Sequence, residues 1–108
     1  MLRSRAERLD RAARDACERG DFASAAQLTE TALSMLRRLF APGSVILAHE
    51  LAKLARLRFN TVGDAASAAE AAAVLHSAAD ALSASYGPEF EEVGELLHLE
   101  RLCHASRT

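Results

Sequence analysis

The segment Ala32–Leu54, ALSMLRRLFAPGSVILAHELAKL, has a loose repeat about 46 residues later in Ala78–Leu99, AADALSASYGPEFEEVGELLHL. In each segment an apolar helical pattern leads to an aromatic residue and a proline-containing turn, and a second helical pattern follows. A repeat of this kind is typical of stacked helical hairpins, because a single hairpin cannot bury its apolar face without a neighbour. The sequence therefore predicts an all-α fold, a stack of about five antiparallel helices made of two helical hairpins and a terminal helix.

The spacing of apolar and helix-breaking residues sets the limits of the predicted helices. Apolar residues recur every three or four positions in five segments, and glycine, proline and capping residues separate these segments. Asp21 and Ser44 are suited to cap the second and third helices, and Gly63 and Asp64 precede the fourth. We expect residues 1–104 to form one domain and residues 105–108 to be a frayed tail. The predicted helices cover residues 2–19, 22–40, 45–59, 65–85 and 89–103.

The composition indicates a small core of alanine and leucine. Half of the residues are apolar, but only five are aromatic, and alanine is the commonest residue. Folding of a chain of this length removes roughly two-thirds of its surface from water. Leu51, Leu54 and Leu82 are expected to point into the core, where alanines allow the helices to approach closely.

The sequence also bears on where the protein is located. No segment approaches the ~20 consecutive apolar residues of a membrane span, and residues 1–14 lack the apolar stretch of a secretion signal. Cys17 and Cys103 lie near opposite ends of the chain, without the short spacing of metal ligands. This cysteine usage is typical of a reducing compartment. The chain is therefore expected to be intracellular, in the cytoplasm, the nucleus or both, and not in a membrane.

Charge is distributed unevenly along the chain. Residues 1–58 hold 11 basic and 7 acidic side chains, whereas residues 59–108 hold 2 basic and 8 acidic ones. The first predicted helix is rich in arginine, and clustered arginines favour binding to nucleic-acid phosphates. However, Glu7, Asp10 and Asp15 each precede an arginine by four residues, and such pairs stabilise an exposed helix. We therefore interpret this helix as a solvated surface and keep weak nucleic-acid binding as an alternative.

No constellation of residues in the sequence indicates catalysis. His98, Cys103 and His104 are close in sequence but are too few for a structural zinc site, which takes four ligands. The sequence has no glycine-flanked serine elbow and no phosphate-binding glycine loop. His76 and Asp80, four residues apart, are expected to form a local surface pair. We predict no catalytic residue, no metal ligand and no cofactor.

The segment Gly20–Leu33, GDFASAAQLTETAL, resembles the second half of a tetratricopeptide repeat. Gly20 and Phe22 stand where that repeat places small and aromatic packing residues, and Leu54 and Ala55 match positions of a following first helix. The tryptophan and tyrosine positions of the repeat are not matched. The resemblance implies a tetratricopeptide-like stack, a fold that serves as a scaffold for protein binding.

Two longer segments resemble a particular family that contains such repeats. Residues 40–60, FAPGSVILAHELAKLARLRFN, and residues 77–103, SAADALSASYGPEFEEVGELLHLERLC, are similar to the C-terminal tetratricopeptide-like region of SET and MYND domain-containing protein-lysine methyltransferases, especially the fourth-member type. The resemblance spans most of residues 20–104, with an insertion of about five residues around 65–74. In those enzymes the helices pack behind the catalytic SET domain. Because the zinc module and the SET motifs are not in this sequence, the methyltransferase activity is not carried over. As an alternative to a separate scaffold, the resemblance implies a C-terminal fragment or short isoform of such an enzyme, with the activity in the parts absent here.

The polar residues of the third predicted helix are the candidate partner-binding site. Tetratricopeptide domains that bind acidic peptide ends resemble one another in having a lysine followed four residues later by an asparagine on the first helix. The matching positions of this sequence look like Asp10 and Arg14, which argues against a standard site of that kind. His49, Lys53 and Arg56 lie on a narrow polar line of the third helix and are the residues expected to contact an acidic partner. We therefore predict a non-catalytic scaffold that binds a protein or peptide, or packs against a SET domain in the same polypeptide, and that can self-associate.

Overall fold

The computed structural model describes residues 2–105, which form five α-helices and contain no strand. Helix accounts for 85% of this part of the chain, so the predicted all-α stack is confirmed. Every predicted helix limit lies within about two residues of the observed one, which is the usual uncertainty of helix ends. The helices are α1 (Leu2–Glu18), α2 (Phe22–Leu39), α3 (Val45–Asn60), α4 (Ala65–Tyr86) and α5 (Glu91–Ala105).

Three helices begin at side chains that cap the amide groups of the first turn. Asp21, Ser44 and Asp64 each accept a hydrogen bond from an amide two or three residues later, over 2.8–3.2 Å. The cap at Asp64 is reciprocal, because Ser67 Oγ accepts a hydrogen bond from the Asp64 amide at 3.1 Å. The first turn of a helix leaves these amides without a partner inside the helix. Local sequence is therefore sufficient to set the starts of α2, α3 and α4.

The turn before α5 gives the largest departure from the predicted limits. Gly87 has a φ of +95°, which non-glycine residues rarely adopt, and its carbonyl oxygen accepts a hydrogen bond from the Phe90 amide at 3.3 Å. This turn delays the start of α5 to Glu91, two residues later than predicted. The helix then continues to Ala105, so this residue is not part of a frayed tail. The rest of the predicted tail, residues 106–108, lies outside the described residues.

The helices pack in the order in which they occur in the chain. α1 packs on α2, α2 on α3, α3 on α4 and α4 on α5, and α3 also contacts α5. Short connections make successive helices antiparallel, and the body measures 45 × 33 × 20 Å, about two helix layers thick. α1, α3 and α5 form one layer, and α2 and α4 form the other. Within residues 2–105 the backbones of α1 and α3 do not approach closely, nor do those of α2 and α4, so a crevice lies between each of these pairs.

The main core lies between α3, α4 and α5. Leu75, Leu82 and Leu96 are fully enclosed there. Of the leucines expected in the core, Leu82 lies here and the partly buried Leu51 packs against it, whereas Leu54 is buried in a smaller cluster with α2. The remaining buried side chains are mostly alanines, which allow close helix packing. The alanines of this core are Ala48, Ala52, Ala55, Ala68, Ala71, Ala72, Ala78 and Ala79.

Two smaller apolar clusters attach α1 and α2 to the rest of the stack. Leu33 of α2 packs with Leu47 and Leu54 of α3 in one cluster. Small side chains of α1 and α2 form the other, together with the partly buried Leu57 of α3. Because Leu57 packs against both clusters, it connects the first hairpin to the third helix.

Candidate functional site

The predicted partner-binding residues lie on one side of α3 and contact other helices of the same chain. Lys53 Nζ is 2.7 Å from Asp10 Oδ1 of α1 and 3.1 Å from Glu50 Oε2. The pair with Asp10 crosses the crevice between α1 and α3, whereas Glu50 lies on α3 one turn before Lys53. Lys53 therefore links two helices whose backbones do not approach closely.

Arg56 makes the corresponding link between α3 and α5. Its Nη2 atom lies 3.1 Å from Glu92 Oε2 and 3.4 Å from Glu95 Oε2. His49 Nε2 and the Tyr86 hydroxyl oxygen are 2.8 Å apart, which connects α3 to the end of α4. The polar line of the third helix is thus a row of links between helices.

These links change what Lys53 and Arg56 offer to a partner. Their positive charges are already compensated by carboxylates from α1, α3 and α5. The two side chains are still 49% and 39% exposed, and exposed ion pairs contribute only about 0–1 kcal/mol. An acidic partner must therefore compete with these internal pairs. Binding of such a partner by His49, Lys53 and Arg56 stays a prediction.

Glu50 is the most unusual ionisable residue of the structure. Its side chain is 9% exposed, and its Oε1 atom has no hydrogen-bond partner among the described residues. Burial and the nearby Asp10 charge raise the pKa of Glu50, although Lys53 acts in the opposite direction. Burial also acts to raise the pKa of Asp10, but the hydrogen bond and charge of Lys53 outweigh it and the pKa is lowered. The two carboxyl groups thus differ in their preferred protonation state.

Substitution of Glu50 by Gln is expected to change how stability depends on pH. A carboxyl group whose pKa is raised by folding stabilises the protein at low pH, and this contribution is lost as pH rises above the ordinary value of 4.5 through the pKa of the folded state. Glu50→Gln removes that loss. From pH 5 to pH 7 the free energy of unfolding, measured by urea denaturation, should therefore fall in wild type relative to Glu50→Gln.

Glu70→Gln is the matched control, because Glu70 is exposed and forms no ion pair within residues 2–105. It should leave the difference between the two pH values unchanged. The lowered pKa of Asp10 acts only below its ordinary value of 3.8, outside the measured range. An equal pH dependence in wild type and Glu50→Gln would contradict the prediction.

The other side of α3 forms the floor of an apolar groove between α2 and α4, which we call the α2/α4 groove. It consists of two open cavities of about 480 and 540 Å³. Leu33, Arg37 and Leu51 line both cavities, so the groove is continuous. Its lining is mainly apolar. The apolar residues of the groove are Leu33, Phe40, Pro42, Leu47, Ala48, Leu51, Leu54, Ala73, Val74, Ala81 and Ala84.

Four charged side chains stand at the α2/α4 groove. Arg58 pairs with Glu30 at one end. Arg37, where the two cavities meet, forms no ion pair within the described residues, and neither does Glu70 on the opposite wall. An apolar cleft with a few uncompensated polar groups has the general character of a binding site.

No family model, curated protein or solved structure matches the chain. The resemblance to SET and MYND methyltransferases therefore stays a prediction. Across residues 2–105, no helix combines the length and apolar character needed to cross a bilayer. The same residues contain no group of three or more side chains arranged to hold a metal ion, and within them Cys17 and Cys103 form no disulfide bond.

The charges of α1 differ from the predicted arrangement. In the described part of α1, Glu7 pairs with the preceding Arg3 at 3.7 Å, and Asp10 pairs with Lys53 of α3. The predicted pairs with arginines four residues later do not form. Lys53 offers Asp10 a partly buried site, where an ion pair is less screened by water. Nucleic-acid binding by the exposed arginines of α1 stays a prediction.

The predicted surface pair of His76 and Asp80 is confirmed, with His76 Nε2 3.5 Å from Asp80 Oδ2. His76 Nδ1 also lies 3.1 Å from Glu100 Oε1 of α5. The pKa of His76 is raised by its hydrogen bond with Glu100, by the charge of Glu100 and by the charge of Asp80. This contact is a surface link between α4 and α5.

Sequence reasoning did not predict the α2/α4 groove. The available signal was a row of small residues at intervals of three and four on α4, namely Ala73, Ser77, Ala81 and Ala84. The same spacing is equally typical of an alanine-rich helix that packs in a core. They become the wall of a groove because the backbones of α2 and α4 do not approach closely within the described residues.

Proposed function

We propose that this chain is a non-catalytic helical scaffold that binds a protein partner in the α2/α4 groove. The observation that carries the proposal is the continuous apolar groove with Leu51 at its floor and Arg37 beside it. Helical domains commonly bind an amphipathic segment by taking its apolar side chains into such a groove. Packing against a SET domain of the same polypeptide, as the resemblance implies, is a special case in which the partner is supplied in cis.

The size and charge of the groove define the partner segment. A volume of about 500 Å³ holds a few apolar side chains rather than a whole helix. Arg37 stands beside these side chains and favours a carboxylate on the partner. We therefore expect a segment with a short apolar stripe and one acidic residue.

The experiment places a photo-crosslinking amino acid at Ser77, on the exposed wall of the groove, in cells that produce the protein. The same amino acid at Ala66, in the first turn of α4 outside the groove, is the control. We expect a discrete crosslinked partner from Ser77 only. Its identity then allows binding to be measured with both purified proteins.

Binding of the purified partner should depend on the groove. Ala81→Arg introduces a long charged side chain into the apolar lining and should weaken binding at least about tenfold, because truncated or blocked interface centres commonly cost 2 kcal/mol or more. Ala66→Arg should bind as wild type does. Equal crosslinking from both positions, or equal affinity of Ala81→Arg and wild type, would overturn the proposal.

A further inference from the structure

Large apolar side chains are exposed at one end of the stack. Leu39, Val45, Ile46 and Tyr86 are 40–48% exposed. Because successive helices are antiparallel, the end of α2, the start of α3 and the end of α4 all lie at this end, together with the starts of α1 and α5. We call these four residues the apolar end patch. Leu102, which is 44% exposed, lies near the far end of α5.

Tyr86 contacts both the start of α3 and the turn before α5. Val45 and Ile46 lie one helical turn before His49, which contacts the Tyr86 hydroxyl at 2.8 Å. The Tyr86 ring stacks on the Phe90 ring, with centroids 4.2 Å apart. The patch therefore runs across the end of the stack toward the first turn of α5.

Opposite charges flank the apolar end patch. Arg5 of α1 and Arg38 of α2 lie on one side of it, and Glu89 and Glu91 lie on the other side at the start of α5. Within residues 2–105 none of these four side chains forms an ion pair. The linear order of the helices keeps the basic and acidic groups apart, so they cannot neutralise each other within one copy.

We propose that the apolar end patch is the interface of a symmetric dimer, with a second copy of this chain as its occupant. The helix ends at this end of the stack form a row from α1 to α5. A two-fold axis that lies in the interface and is perpendicular to this row places α5 of the second copy opposite α1 of the first. The basic side of each copy then faces the acidic side of the other, and the apolar side chains meet at the centre. A two-fold interface requires this kind of self-complementary surface, and apolar centres with charged rims are typical of protein interfaces.

The interface is independent of the proposed partner groove. The charged residues beside the apolar end patch, Arg5, Arg38, Glu89 and Glu91, do not line that groove. If the chain does not dimerise, the proposed binding of a partner in the groove can still be correct. If no partner binds in the groove, the proposed dimer can still be correct.

Sedimentation velocity of the full chain over a wide concentration range at low salt measures the dimer directly. We expect a reversible monomer–dimer equilibrium that weakens as salt is added. Ile46→Glu should raise the dissociation constant at least about tenfold, whereas Leu102→Glu, at an equally exposed leucine, should not change it. Circular dichroism of both variants checks that helicity is retained. A monomer at every concentration would overturn the proposal. The apolar end patch would then be the contact surface for a different protein.

Charge reversal gives a second and sharper test. Arg5→Glu/Arg38→Glu and Glu89→Arg/Glu91→Arg each place like charges across the proposed interface, so each double variant alone should dimerise about tenfold more weakly than wild type. Mixing the two variants restores both opposite-charge contacts, and a mixed dimer should form with near wild-type affinity. If mixing fails to restore association, the proposed arrangement of the two copies is wrong.

Discussion

Substitution of Leu82 by Ala should lower the free energy of unfolding by about 3 kcal/mol, which is typical of a leucine removed from an enclosed core. Leu82 has no exposed surface and packs in the core between α3, α4 and α5. The loss combines the transfer free energy of the missing atoms with the cavity that neighbouring helices cannot fully close. Urea denaturation followed by circular dichroism gives the change.

Leu102→Ala is the control for this prediction, because Leu102 is 44% exposed. Exposed substitutions usually change stability by no more than about 0.5 kcal/mol. A loss below about 1 kcal/mol for Leu82→Ala would show that the core does not depend on this leucine.

Enlargement of Ala71 to Leu is expected to destabilise the protein by about 1–3 kcal/mol. Ala71 has no exposed surface, and α4 packs closely on both α3 and α5. A leucine at this position must push one of these helices away. The thermal midpoint and the urea midpoint should both fall.

Ala73→Leu tests whether the effect comes from packing or from the leucine itself. Ala73 lies two residues further along α4 and is exposed, so the same change there should alter stability by less than about 0.5 kcal/mol. Equal losses at the two positions would contradict the close packing of alanines in this core.

The helix starts could be predicted because their causes are local. Asp21, Ser44 and Asp64 each cap amides within three residues along the chain, and the same short segment contains both partners. The apolar spacing of three and four residues then identifies the face that each helix buries. The all-α stack follows from these two local signals.

The contacts of the site could not be predicted because they join distant parts of the chain. Arg56 and Glu92 are 36 residues apart, and Lys53 and Asp10 are 43 residues apart. Each of these residues also had a plausible role as a solvated charge on its own helix. Which contacts form depends on how the helices are offset in the stack, and the pattern of one helix contains no information on that offset.

The α2/α4 groove shows the same limitation for apolar residues. Leu51 and Val74 are only partly buried, yet their sequence pattern does not distinguish them from fully enclosed core residues. The groove exists because α2 and α4 both pack on α3 without approaching each other closely. Three helices must be in place before this cleft is defined.

The packing of each helix on the next one in the chain has a consequence for biosynthesis. Every major helix pair is complete as soon as its second member has left the ribosome, so the amino-terminal hairpin can collapse while the rest is still being translated. Chains whose contacts are mostly between neighbouring segments fold within microseconds to milliseconds. α4 has only α3 to cover it until α5 emerges, and during this interval the nascent chain is most exposed to chaperones and to aggregation.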